Sequence, residues 1–259
     1  MCCLRTLLIA LGAVFLSLSL PASAPAEELR AEAPPLPRGE MTPDRPEVDL
    51  LLVLAVDISR SVDEKKFRLQ RDGYAGALTN PKVIAAIRSG PVGKIAISMI
   101  EWSGVAEQAI ITDWTTVGTK EDAEALSQRI RGAPRAFMGR TAIGSAIEFA
   151  LQQFPRSPFQ AQRHIVDVSG DGTNNSGIDV AEARQLALSQ RVTVNGLAIL
   201  SEEPLPFNPA HTHPPGGLLA YYENNVIAGT NSFALAAENH DAFGTMILAK
   251  LIKEIALAD

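Results

Sequence analysis

Residues 48–56, Val-Asp-Leu-Leu-Leu-Val-Leu-Ala-Val, are apolar at every position but one. A half-buried strand would alternate and a surface helix would show a polar stripe. An unbroken run of this length reads as a strand covered on both faces. Apolar, strand-like runs recur at 95–102, 108–113, 164–169, 192–200 and 233–237. Amphipathic stretches lie between them at 64–78, 81–87, 120–130, 142–154, 180–190 and 242–255. Such alternation predicts an α/β fold: a doubly wound, mainly parallel open sheet of Rossmann-like kind with helices on both faces. The link between 102 and 108 is too short for a crossover helix, so the third strand is expected to be an antiparallel edge strand. Residues 201–217, rich in proline and glycine, form a long connection before a helix-like stretch at 218–225. Loops of that length are more often functional than idle.

Ahead of this domain, Arg5 precedes an apolar run over 7–20, followed by small residues up to Ala26. Residues 1–26 read as a signal peptide cut after Ala26. An uncleaved anchor is the competing reading, but the run is shorter than the ~20 residues a span needs. Residues 27–47 hold five prolines in a polar, aperiodic stretch and read as a linker. The folded domain is therefore expected over 48–259. Both cysteines, Cys2 and Cys3, lie in the leader, so no disulfide is available to the mature chain. Export without cysteines fits a periplasmic or secreted protein whose core is large enough to need no covalent staple. A net charge of −6 makes nucleic acid a poor partner.

In open parallel sheets, ligands bind beyond the carboxyl ends of the strands. The first strand ends in Asp57-Ile58-Ser59-Arg60-Ser61, and the run from His164 ends in Ser169-Gly170-Asp171-Gly172. Thr141 opens the stretch after Gly139-Arg140. Adjacent first and fourth strands would gather two carboxylates and three hydroxyls on one rim. Hard oxygen donors without cysteine or histidine select Mg2+ first, with Mn2+ or Ca2+ as alternatives. Hydroxyl ligands leave such an ion electrophilic, and an anionic oxygen from a partner would satisfy it. Each member also has a local explanation. Ser61 fits the first position of a capping box, Thr141 fits a helix cap, and Asp171-Gly172 fits a turn. Capping alone, however, does not require five such residues to converge.

The pattern Asp57-x-Ser59-x-Ser61, then Thr141, then Asp171 in Ser-Gly-Asp-Gly, resembles the metal-ion-dependent adhesion site of von Willebrand factor type A domains. The resemblance runs from about residue 48 to residue 255. It implies that Ser59, Ser61 and Thr141 touch the metal while Asp57 and Asp171 act largely through water. It also implies a binding module for an acidic protein or peptide, not an enzyme. The stretches 59–63, 170–175 and 221–226 resemble an uncharacterised bacterial branch of that family. Arg60 and Arg140 depart from the small residues common at their positions; long basic side chains usually reach into water, so solvent-facing arginines are expected, with a widened preference for anions as the competing reading. The competing function is a metal-dependent hydrolase or phosphoryl-transfer enzyme. Against it stand the absence of a nucleophile paired with a base and of a glycine-rich lysine loop. His211 and His213 are spaced to share an ion, but a proline-rich loop without a third ligand argues against a second site. His164 and His240 read as structural, and Glu101 as a solvated charge at a strand end, with a carboxylate lying behind the metal's ligands as the competing reading.

Overall fold

The computed structural model describes residues 45–256. The leader, and the linker up to residue 44, lie outside the described residues. In chain order the elements are β1 (Leu51–Asp57), α1 (Glu64–Leu78), α2 (Pro81–Arg88), β2 (Ile95–Trp102), β3 (Gln108–Val117), α3 (Lys120–Gly132) and α4 (Ile143–Leu151). They continue as β4 (His164–Gly170), α5 (Val180–Ser189), β5 (Thr193–Ile199), α6 (Pro209–Thr212), α7 (Leu218–Tyr221), β6 (Ala234–Ala237) and α8 (Phe243–Ala256). A π turn over Tyr222–Val226 follows α7.

The sheet runs β3-β2-β1-β4-β5-β6. All neighbours are parallel except β2 and β3. β1 lies between β2 and β4, and its residues divide by parity. Leu51, Val53 and Ala55 enter one core with Ile143, Ile147 and Val180 of α4 and α5. Leu50, Leu52, Leu54 and Val56 enter the other, against Tyr74 of α1, Leu126 of α3 and Phe243 of α8. Because successive side chains point to opposite faces, two apolar layers call for an apolar residue at every position of β1 from Leu51 to Val56, ahead of Asp57 at its end. β3 behaves differently. It continues to Val117, beyond the expected end at 113, because Asp113 points outward from an edge strand and leaves Trp114 buried.

The chain leaves β1 toward one face, through α1, and leaves β4 toward the other, through α5. The crevice between these two strand ends is the switch point at which open α/β sheets place their sites. Register sets its depth: Val56 pairs with both Glu101 and Ser169, and Asp57 pairs with Trp102. Helix capping leaves the hydroxyls of the crevice free. Asp63, not Ser61, caps α1, its Oδ1 accepting from Lys66 N at 2.8 Å. The cap position of α4 is Ala142, with no side-chain cap, so Thr141 is not a capping residue.

Arg135, in the coil before α4, secures the loop after β1. Its guanidinium donates to the carbonyls of Ile58 and Val62, each at 2.7 Å, and to that of Ser59 at 3.2 Å. The same group lies 5.2 Å from the Phe67 ring centroid. Glu101 is fully buried and paired with Arg71 at 2.6 Å, which corrects the expectation of a solvated strand-end charge. Burial holds its carboxyl above the usual range despite the Arg71 charge.

A second charged group is enclosed beneath the sheet. Lys250 Nζ lies 2.7 Å from Asp167 Oδ1 and donates to Glu254 Oε1, and all three residues are fully buried. One ammonium serves two carboxylates. Burial, and then the Asp167 charge, pushes the Glu254 carboxyl up to about 7. A raised carboxyl stabilises the fold below its ordinary value of 4.5 and loses that contribution as pH rises through 7. Chemical denaturation of wild type and Glu254→Gln across pH 4–8 should therefore show the wild-type advantage shrinking over that window. A constant difference would exclude this account. Arg135→Ala should lower unfolding free energy by about 2–3 kcal/mol, the scale for loss of charge-assisted hydrogen bonds. Urea melts would measure it, and an unchanged midpoint would show that the clamp contributes nothing.

Candidate functional site

Asp57, Ser59, Ser61 and Asp171 converge on the β1–β4 crevice, and Thr141 reaches its border through contacts with Asn175 and His211. Asp57 and Asp171 are buried, as are Ser59 and Thr141. Asp57 Oδ1 accepts from Ser59 N at 2.7 Å, which turns the chain sharply at the strand end. Ser59 Oγ and Ser61 Oγ are 3.0 Å apart, and Ser61 Oγ donates to Asp171 Oδ1 at 2.6 Å. The spacing of two residues thus places both serine hydroxyls side by side. The loop before α4 joins them through Arg60 N, which donates to Gly139 O at 2.9 Å. The next loop joins Thr141, whose N–H donates to Asn175 Oδ1 at 3.0 Å.

Two glycines permit this convergence. A Cβ on Gly170 would lie 2.7 Å from Tyr222 Oη and 3.0 Å from Asp57 Oδ2. A Cβ on Gly172 would lie 2.2 Å from His211 Nε2. The buried oxygens of the crevice are not all satisfied: among the described residues, neither Asp57 Oδ2 nor Tyr222 Oη has a hydrogen-bond partner. An unpaired carboxylate oxygen in a dry site is costly unless it is neutralised. Burial and the neighbouring Asp171 charge push the Asp57 carboxyl up to about 8, against opposing hydrogen bonds from Ser59 and from the Asp171 backbone. Tyr222 is held well above its ordinary value by burial, and then by the charges of Asp57 and Asp171.

These observations fit a divalent cation. Two carboxylates with an unused oxygen, surrounded by three hydroxyls not engaged as helix caps, lack a positive charge of matching hardness. Lys66 supplies part of it, donating to Ser61 O at 2.9 Å with its Nζ 3.7 Å from Asp171 Oδ2. Among the described residues there is no cluster of three His, Cys, Asp or Glu arranged to hold a metal. Hydroxyls would therefore have to supply most of the protein donors.

Several functional neighbours were not legible in the sequence. His211 is buried, and its Nε2 lies 3.2 Å from Thr141 Oγ1. Burial lowers its pKa, with the Asp171 charge opposing. His213, two residues on, is exposed. His240, expected to be structural only, is buried with Nε2 4.0 Å from Asp171 Oδ2. Burial lowers it to about 4 despite that carboxylate. No local motif marks either histidine, because both reach the crevice from the far side of β5. The loop over 201–217 lies on the same rim, as its place after β5 implied. Together with His240 and Lys66 it encloses a cleft of about 400 Å³ beside Asp171. Arg60 and Arg140 are exposed, so neither side chain belongs to the buried floor.

Solved structures share this architecture. Proximal thread matrix protein 1 from the mussel byssus superposes with a TM-score of 0.57 at 15% identity, over 82% of this chain and 47% of that one. The open form of the pilus adhesin SpaC from Lactobacillus rhamnosus GG gives 0.57 at 13% identity, over 82% and 31%. A von Willebrand factor type A protein from Catenulispora acidiphila gives 0.52 at 15%, over 80% and 43%. The chain thus spans less than half the length of each of these proteins. Another structure of the mussel protein has zinc in its metal-ion-dependent adhesion site. A search of curated protein sequences finds no match. This chain has the fold of those von Willebrand factor type A structures; the profile of a family described as a protein of unknown function, DUF1194, matches residues 47–259, and the chain belongs to that family.

Proposed function

We propose that this chain is an exported binding module that holds one divalent cation and uses it to grip a carboxylate of a protein partner. Ser59, Ser61 and Thr141 are assigned as direct ligands, with Asp57 and Asp171 accepting protons from metal-bound water and hydroxyls. The bound cation would supply an electrophilic position for an acidic side chain from outside. The observation that carries this reading is the unpaired Oδ2 of the fully buried Asp57, beside hydroxyls that no helix uses as caps. Apolar side chains exposed around the rim support a protein partner. Val105 follows β2, Met138 precedes Thr141, and Phe207 stands fully exposed on the loop after β5. The leader read from residues 1–26 supports export, and among the described residues no helix is long and apolar enough to cross a membrane.

One contact favours the rival, hydrolytic reading. The pairing of Thr141 Oγ1 with His211 Nε2 places a hydroxyl beside an imidazole, a combination that the sequence order concealed. Both groups are buried, however, and a nucleophile must reach its substrate. Binding is therefore preferred to catalysis.

Mass action on the folded state provides the test. At a hundredfold excess over Kd, Mg2+ or Mn2+ should raise the melting temperature by about 5–10 °C relative to chelator. Asp57→Ala should abolish that difference. Equal melting of wild type with metal and with chelator would remove the proposal. A panel of phosphoesters and esters should show no turnover that depends on Asp57 and Thr141. Turnover lost in both Asp57→Ala and Thr141→Val would establish the enzyme reading.

A further inference from the structure

His211 is held more firmly than a packing residue requires. It rides on the single turn of α6, and Thr173 N donates to its carbonyl at 2.9 Å. Its ring lies against Gly172, where a Cβ would meet Nε2 and Cε1 at 2.2 and 2.3 Å, so only glycine admits it. Nδ1 faces Thr173 Oγ1 at 3.3 Å and Asn175 Nδ2 at 3.5 Å. Nε2 faces Thr141 Oγ1 at 3.2 Å. In the tautomer that donates from Nδ1 to Thr173, the Nε2 lone pair points at the hydroxyl assigned to the cation. A second polar group fixing one ring nitrogen while the other faces the ion is the arrangement that orients metal-binding imidazoles.

We propose that His211 is itself a ligand of the cation, delivering one nitrogen from the loop over 201–217 to the oxygen set of Ser59, Ser61 and Thr141. The proposal rests on the reading that those hydroxyls hold a divalent ion. Two consequences follow from the donor chemistry. Nitrogen shifts preference away from Mg2+ and Ca2+ toward Zn2+ and Co2+. Metal loading also ties the loop to the crevice, and with it Phe207 and the cleft beside Asp171. An ion of about six coordination positions still keeps room for water and one external carboxylate oxygen.

The test uses the full chain after chelator treatment. Isothermal titration with Co2+ and with Mg2+ should show Co2+ binding the tighter by roughly 100-fold. His211→Ala should lose roughly that factor for Co2+ while Mg2+ affinity changes only a few-fold. Pulsed paramagnetic resonance of the Mn2+-loaded wild type should show coupling to an imidazole 14N, and that coupling should vanish in His211→Ala. Absence of nitrogen coupling in the loaded wild type overturns the proposal whatever the variant does. Coupling that survives His211→Ala but vanishes in His240→Ala assigns the nitrogen to His240 and overturns it as well. The underlying site fails separately: metal uptake that persists unchanged in Ser61→Ala and Thr141→Val would show that the ion lies elsewhere. A wild type that takes up none of these ions removes both claims together.

Discussion

Two carboxylates buried at neighbouring strand ends are the constraint around which this molecule is arranged. Asp57 and Asp171 repel each other where both are almost fully buried, and the protein provides incomplete compensation. Ser59 N and Ser61 Oγ hydrogen-bond to them and Lys66 approaches from the side, yet Asp57 Oδ2 is left unpaired. Burying charge in this way is expensive unless something of opposite sign enters. Parallel pairing of β1 with β4 brings the two groups together, and Arg135 holds the β1 loop in place by its backbone carbonyls.

The sheet was legible because double burial leaves a compositional mark. A strand between two others, with helices on both faces, favours apolar residues at nearly every position, and 48–56 shows it with Asp49 as the one exception. Boundaries were less legible where solvent intervenes. Asp113 ended the expected third strand, yet an edge strand tolerates a carboxylate on its open side, so β3 runs on to Val117. Glu101 shows the opposite failure. Its type implied solvent, whereas Arg71, thirty residues away, allows it to be buried.

The crevice was legible in the same partial way. Asp57, Ser59 and Ser61 sit within one short segment whose alternation places them together, and Asp171 follows from strand adjacency. Cap chemistry could not be resolved from spacing alone. Ser61 and Asp63 are both competent caps, and only the backbone geometry, with Lys66 N directed at Asp63, shows which residue is used. Histidines carry no such local mark. His211 approaches Thr141 across seventy positions, through a loop whose prolines and glycines argued for irregularity and nothing more. Chemistry supplied by loops is decided by tertiary packing, and here the decisive feature is the absence of a side chain at Gly172.

The account depends on a cation lying among groups that are otherwise unbalanced. Anomalous diffraction from crystals of residues 27–259 grown with Mn2+ examines this most directly. A single strong peak bounded by the hydroxyls of Ser59, Ser61 and Thr141, and absent from Asp57→Ala crystals, is the expected result. A wild-type crevice without anomalous density at saturating Mn2+ would contradict it.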